Sequence, residues 1–303
     1  MDARRRSILS LVDPAGSRGL EVGALARPIV ERGMGEVLYA DRLSSADLRR
    51  HYAPSVASGD LDLSSLVEVD VVVPDGQSLS ASLPPGFVPD YIVASHVMEH
   101  APDPVGWLAD LAACLGEGGL ICLALPDKRF IFDHLRDTTT VREVVEWSIR
   151  RPSRPTPGQV FDHVSRLSQV EAAAVWQGTQ PRPSALTDRA MAPAMARSAF
   201  GGDHHDVHCS VLTPASFCEV FGEVIALDLL PLEFAAFEPT PVNGTEFFVT
   251  FRKRAAATPA ERAASTPVLD RAAHHALPVA ALEPGPRKRF WQRRNSTRHS
   301  AGP

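Results

Sequence analysis

Only four cysteines occur in 303 residues (Cys114, Cys122, Cys209 and Cys218), and no two of them form a C-x-x-C pair. A disulfide framework is therefore excluded, and reduced thiols in a cytoplasmic protein are expected. Long apolar runs are also missing. The longest clean one, Leu120–Leu125, falls far short of the roughly 20 residues that cross a bilayer, so no membrane span is expected. Near the N-terminus Arg4-Arg5-Arg6 precedes Ile8–Val12. Asp13-Pro14 ends that run below the about 7–15 residues of a secretory apolar region, and no leader is expected. There is no internal repeat. Nor is there a complete G-x-G-x-x-G, because Leu25 and Arg27-Pro28 stand where the later glycines would be. A dinucleotide pyrophosphate needs those glycines; a nucleoside ligand without phosphates does not.

What is present is unevenly charged. The net charge is −5, but from Arg254 onward nine Lys/Arg face three Asp/Glu, while 1–253 carries 22 basic and 33 acidic residues. An acidic body lacks the Lys and Arg that phosphate contacts require, so no nucleic-acid partner is expected. The basic segment, 254–303, is rich in Ala, Pro, Ser and Arg, with Phe290 and Trp291 its only aromatics. Too little apolar surface is available there to offset the entropy of ordering, and a disordered tail is expected. Its removal should then cost less than about 1 kcal/mol.

Within 1–253 short apolar runs alternate with helical patterns, the mark of a mostly parallel sheet with crossover helices. Strands are expected at 18–22, 36–40, 66–73, 89–95 and 119–125, the last two apolar throughout as buried central strands are. Between those two, Asp103 caps a helix with Pro104 in its first position and Trp107, Leu108, Leu111 and Leu115 on one face. The alternation breaks over 127–212, where two capping boxes, Thr140 with Glu143 and Ser168 with Glu171, open helices of an insertion or lid. Regularity returns at Thr213-Pro214, with Leu212 and Phe217 as a hydrophobic staple. A closing hairpin of strands 224–230 and 246–252 is expected to follow.

Residues suited to chemistry cluster at the expected strand ends. The first strand runs Gly19-Leu20-Glu21-Val22-Gly23 and should turn at Gly23 into a helix over 24–32, aiming a helix N-terminus at a ligand. Asp41, ending the second strand, is placed to accept from both hydroxyls of a ribose. Asp75-Gly76-Gln77-Ser78-Leu79 follows the third strand. The fourth ends in Ser95-His96-Val97-Met98-Glu99-His100, and Gly118-Gly119 opens a strand that closes on Pro126.

Together, these segments resemble the class I S-adenosylmethionine-dependent methyltransferases of the methyltransferase type 11-like family. The resemblance covers Gly19 to about Leu125, weakens, and resumes from Thr213 to Arg252. It implies an α/β, Rossmann-like class I methyltransferase sheet, mostly parallel with a C-terminal antiparallel hairpin, and S-adenosyl-L-methionine as cofactor. It also implies residue roles. Glu21 and Gly23 meet the methionine portion, Asp41 the ribose, and Asp75 the adenine amino group. Leu79 packs on the adenine ring, while Ser95 and His96 floor the pocket. The single Gly23, in place of a glycine-rich series, is the departure from the pattern.

Methyl transfer from a sulfonium is an in-line displacement that depends mainly on positioning and desolvation, although a hydroxyl or amine acceptor needs a base for its proton. His96, His100, Asp127 and His208 are candidates, with His208 and Asp127 expected on the acceptor side as catalytic residues. His100 otherwise caps or orients the helix after Asp103. Three His and two Asp lie within 203–208, but adjacent side chains cannot all converge on one ion. Glu99 and His100 have no further ligand matched to them, and no metal is expected. A small-molecule or glycan acceptor is the expected partner, and neither a membrane nor a nucleic acid is. A non-catalytic binding module on the same fold, or a nucleotide-dependent oxidoreductase, are the alternatives.

Overall fold

The computed structural model describes residues 2–58, 62–254, 256–269 and 274. Its seven strands are β1 (Arg18–Val22), β2 (Glu36–Asp41), β3 (Val71–Val72), β4 (Tyr91–Ser95), β5 (Leu120–Pro126), β6 (Leu232–Glu238) and β7 (Glu246–Lys253). They form one sheet in the order β3-β2-β1-β4-β5-β7-β6. The first five are mutually parallel, and β7 lies antiparallel between β5 and β6. This is the expected Rossmann-like sheet with its antiparallel C-terminal hairpin. Strand order reverses between β1 and β4, and open α/β sheets bind ligands at the C-terminal ends of strands where the order reverses.

Helices surround it: α1 (Ala3–Ile8), α2 (Ser45–His51), α3 (Ala53–Ala57), α4 (Leu79–Ser82), α5 (Pro104–Cys114), α6 (Val141–Arg150), α7 (Pro157–Arg166), α8 (Ala172–Trp176), α9 (Ala192–Phe200), α10 (Pro214–Ala226) and α11 (Pro259–Ala263). One core packs α5 and α10 on one face of the sheet, with Leu20, Ile92, Leu108, Leu111, Phe217 and Phe251 at or near zero exposure. A smaller core on the other face sets α1 against Tyr39, Val93 and Phe248. The lid segment has a small core of its own around Val160, Val164, Ala192, Val207 and Cys209.

Four expectations are corrected by this arrangement. Residues 24–32 make turns, not a helix: Leu25 joins Gly23 at positive φ, and Glu21 takes the amides of Ile29 and Val30. Of the strand expected over 66–73 only Val71–Val72 pairs, at the sheet edge. Just before it the Asp70 carboxylate, held by Arg32, replaces a strand carbonyl as acceptor for the Tyr39 amide. The hairpin's first arm is 232–238, because Phe217, Phe221, Val224 and Ile225 fall on one face of α10 and extend it. β-branched neighbours at 224–225 imitate a strand; helical periodicity decides. Finally, Ser168 caps no helix. It is buried, bonded to the Phe132 carbonyl and bridged to Ala185, whereas Thr156 and Gln159 form a capping box that opens α7.

The tail differs too. Residues 256–269 lie against the body, with Thr258 and Glu261 boxing the start of α11. Arg262 is 4% exposed and paired with Asp228. Ser265 Oγ accepts from the Phe234 amide at 2.8 Å, and the Thr266 side chain fills the space a Cβ at Gly222 would need. Residues 270–273 and 275–303, the rest of the expected disordered tail, lie outside the described residues. Truncation after Arg254 should therefore lower the unfolding free energy by about 1–3 kcal/mol, the cost of unpairing a buried donor. Urea melts of the two chains would check this, and unchanged stability would mean that the docked segment contributes nothing.

Candidate functional site

Gly23, at the end of β1, has φ +71, and a Cβ there would stand 2.7 Å from Val97 Cγ2. Glycine lets the loops after β1 and β4 close on each other at the strand-order reversal. Glu21, one residue inside β1, is 1% exposed and accepts from Ile29 N at 2.7 Å and Val30 N at 2.9 Å. Burial pushes its carboxyl up to about 7 despite those two bonds. It fastens the loop and has no oxygen left for a ligand, so it is a positioning residue and not a contact to methionine.

Asp41 ends β2 half-exposed, with one carboxylate oxygen accepting from the Leu43 amide. Burial raises its pKa. Its half-exposed carboxylate sits at the strand end, open to a ligand. Asp75 lies where the lid meets the sheet, 3.4 Å from His204 Nδ1 and 3.8 Å from Arg154 Nε. Leu79 begins α4 and is 5% exposed within the main core, while its amide donates to Asp110. It offers no free face to a ring.

Ser95 and His96 turn toward α1 and β7. Ser95 Oγ accepts from Arg4 Nη2 at 2.6 Å, and Arg4 also pairs with Glu246. His96 meets Glu246 through Nε2 at 2.9 Å and adopts a positive φ of 54°. Burial opposes its charge, but the hydrogen bond to Glu246 and the negative charge of nearby Glu99 outweigh burial and raise its pKa to about 9. These two side chains tie the first helix to the last strand and do not line an open floor.

Asp127 also departs from expectation. With no exposed surface, it caps the turn after β5 and binds the Arg129 guanidinium through both oxygens, while Thr240 Oγ1 donates to it at 2.7 Å. Its carboxylate holds β5, the turn and the β6–β7 connection together; none of it is left for an acceptor.

His208 does come to the end of β4. The Glu99 carbonyl accepts from Cys209 N at 2.6 Å and Ser210 N at 3.1 Å, which holds the end of the lid on the turn after β4. One donor atom each from Glu99, His100 and His208 then lies within 4.8 Å of the others. The His100 and His208 rings meet edge to face at 4.8 Å. His208 Nδ1 bonds Asp133 at 2.5 Å, and His100 Nδ1 bonds Asp206 at 2.7 Å. Asp206 is held down at about 2, chiefly by His100. His100 thus ties to the lid and does not cap α5, a task Asp103 performs.

Behind His208 stand residues the sequence did not single out. Arg136, 2% exposed, binds Asp133, Asp162 and the His208 carbonyl. His163, pushed down to about 3 by burial and by Arg136, accepts from the His208 amide. These lid residues are isolated polar positions without a motif; only the Asp133–Arg136 spacing of three hinted at a pair.

A parallel sheet closed by an antiparallel strand, with acids at the ends of β2 and β3, defines a class I methyltransferase fold. The sequence pattern described as "Methyltransferase domain" matches residues 3–179, and the chain belongs to that family. No curated protein matches the chain. Among solved structures, an S-adenosylmethionine-dependent methyltransferase of Mesorhizobium loti is 13% identical, over 82% of this chain and 95% of its own, with TM-score 0.39. A protein of Rhodobacter sphaeroides provisionally described as a zinc-dependent alcohol dehydrogenase is also 13% identical, over 84% and 91%, with TM-score 0.42. Likenesses this weak carry no argument about what the chain does. Among the described residues no helix is long and apolar enough to cross a membrane.

Glu21 gives the loop a pH signature. Below about pH 4.5 it is neutral in both folded and unfolded chains; between 4.5 and 7 only the folded chain keeps the proton. Its contribution to stability is therefore fully present below 4.5 and is lost as pH rises to 7. Glu21→Gln is neutral throughout. The stability of the wild type minus that of the variant should fall by on the order of 3 kcal/mol across this window, at 1.36 kcal/mol per pKa unit. Urea melts from pH 4.5 to 8 measure it, and a flat difference would refute the burial argument.

Proposed function

We propose that the chain is an S-adenosylmethionine-dependent methyltransferase that methylates a small molecule or a glycan intermediate. The observation that carries this reading is the reversal of strand order between β1 and β4, where Gly23 closes the loops, with Asp41 and Asp75 following β2 and β3 on one side of it. Ligands of open α/β sheets bind at such a reversal of strand order. A cofactor without phosphates fits it, because the turns over 24–32 supply no helix N-terminus for a pyrophosphate. The reading keeps Gly23, Asp41 and Asp75 as cofactor contacts and gives Glu21 the task of holding the loop.

The lid supplies the acceptor side. His208 is the residue carried forward there, fixed by Asp133 and Arg136, and Asp127 is not. A small acceptor suits a site roofed by 203–208, and an acidic body disfavours nucleic acid. A cytoplasmic location, with no membrane partner, completes the reading.

Calorimetry with S-adenosylhomocysteine tests the cofactor half. Asp41→Ala should weaken binding by about 1–3 kcal/mol, roughly 5- to 150-fold. If the wild type does not bind, the methyltransferase reading fails. His208→Ala should leave that affinity within about twofold while S-adenosylhomocysteine formation, measured over a panel of hydroxylated small molecules and sugars, drops at least about tenfold. Binding by the wild type with no turnover on any acceptor would favour the non-catalytic module.

A further inference from the structure

The Glu99 side chain is 2% exposed, and neither of its carboxylate oxygens has a hydrogen-bond partner. A buried carboxylate left so is strongly disfavoured, and native proteins rarely tolerate one without a ligand. The nearest cation is His96, whose Nδ1 is 3.4 Å from Oε1, outside hydrogen-bonding geometry, and whose other nitrogen is committed to Glu246. What the carboxylate faces instead is two imidazoles.

We infer that Glu99, His100 and His208 form a binding site for a borderline divalent cation of the zinc class. Two features beyond the orphaned carboxylate support it. Each imidazole gives its Nδ1 to a carboxylate, His100 to Asp206 and His208 to Asp133, which leaves Nε2 as the free donor. Metal-ligating histidines are held in this way, and the outer carboxylate fixes ring orientation and raises basicity. The outer shell is itself anchored, since buried Arg136 pairs with both Asp133 and Asp162. One ring nitrogen of each histidine and one Glu99 oxygen lie within 4.8 Å of one another. An ion with bonds of about 2.0–2.2 Å needs donors roughly 3–3.5 Å apart, so side-chain rotation of about 1 Å closes the site.

Donor chemistry selects the ion. Two imidazole nitrogens and one carboxylate oxygen suit zinc, cobalt(II), nickel, iron(II) or manganese better than magnesium or calcium, which favour all-oxygen shells. Three protein ligands leave a coordination position for water or a ligand oxygen, as in sites that act on a bound molecule. In this arrangement His208 serves the acceptor side as a ligand rather than as a free base. The cation site itself does not rest on the methyltransferase reading, because it is measured without cofactor or acceptor.

The test is titration of the full-length protein, freed of metal by a chelator, with Zn²⁺ by calorimetry and with Co²⁺ by visible absorption. One ion per chain is expected, with Co²⁺ ligand-field bands of a four- or five-coordinate site. Glu99→Gln and His100→Ala should each weaken Zn²⁺ binding at least tenfold, and Asp206→Asn should weaken it about 10–100-fold through the outer shell. Circular dichroism on each variant separates loss of the site from loss of the fold, and Asp206→Asn, at a half-exposed lid position, keeps the test available if a buried variant fails to fold. Absence of Zn²⁺ binding to the wild type, or equal binding in Glu99→Gln and His100→Ala, overturns the inference. S-adenosylhomocysteine affinity is read separately, so a failure of the methyltransferase reading leaves a different signature.

Discussion

Two backbone hydrogen bonds, from the amides of Cys209 and Ser210 to the carbonyl of Glu99, join parts of the chain that are far apart in sequence. The position of the end of the lid depends on them. They press the end of the lid onto the turn after β4, and so bring His208 beside His100 and Asp206 within reach of it. From there the lid runs over Asp75 through His204. The lid is therefore part of the site's wall, fastened by main chain that no side-chain substitution can remove directly.

Buried acids are handled differently at each place in this molecule, and the differences sort structure from function. Glu21 is satisfied by two amides and holds a loop; Asp127 is satisfied by a guanidinium and a hydroxyl and holds three segments together. Asp133 is shared between Arg136 and His208. Each of these has its lone pairs filled by protein. Asp41 stays half-exposed at a strand end, and Glu99, buried, has neither oxygen hydrogen-bonded. Saturated carboxylates of this kind brace a fold, and the exceptions are the places the proposals above assign to ligands.

The sequence made the sheet readable where local signals and burial agree. β1 and α5 lie where the glycine turn and the Asp103-Pro104 cap place them, and β4 and β5 lie within about two residues of the apolar runs. It misled where a side chain took over backbone duties. Glu21 captures amides that a helix over 24–32 would have used, and Asp70 replaces a strand carbonyl. At 224–225 two β-branched residues suggested a strand, but their spacing from Phe217 and Phe221 fixed them in α10. Of the site, the acids at the strand ends were visible because strand ends are visible. The partnership of Glu99 with His208 was not, since nothing local records which loop a lid will land on. Asp127 looked free because Arg129, two residues on, could equally have pointed to solvent, and its other partner, Thr240, lies on a distant connection.

The position of β7 has a consequence for how the chain comes to be folded. β5 is almost wholly buried and apolar, and one of its two edges pairs only with β7, whose first residue is Glu246. During synthesis from the N-terminus the parallel strands emerge first, and that edge stays open until the intervening residues have been added. At about 5–20 residues per second, this takes roughly 6–24 seconds. Through that interval the nascent chain presents an unpaired hydrophobic strand, the kind of edge that recruits neighbours into aggregates. The lid, α10 and β6, made in the meantime, are the segments that can shield it.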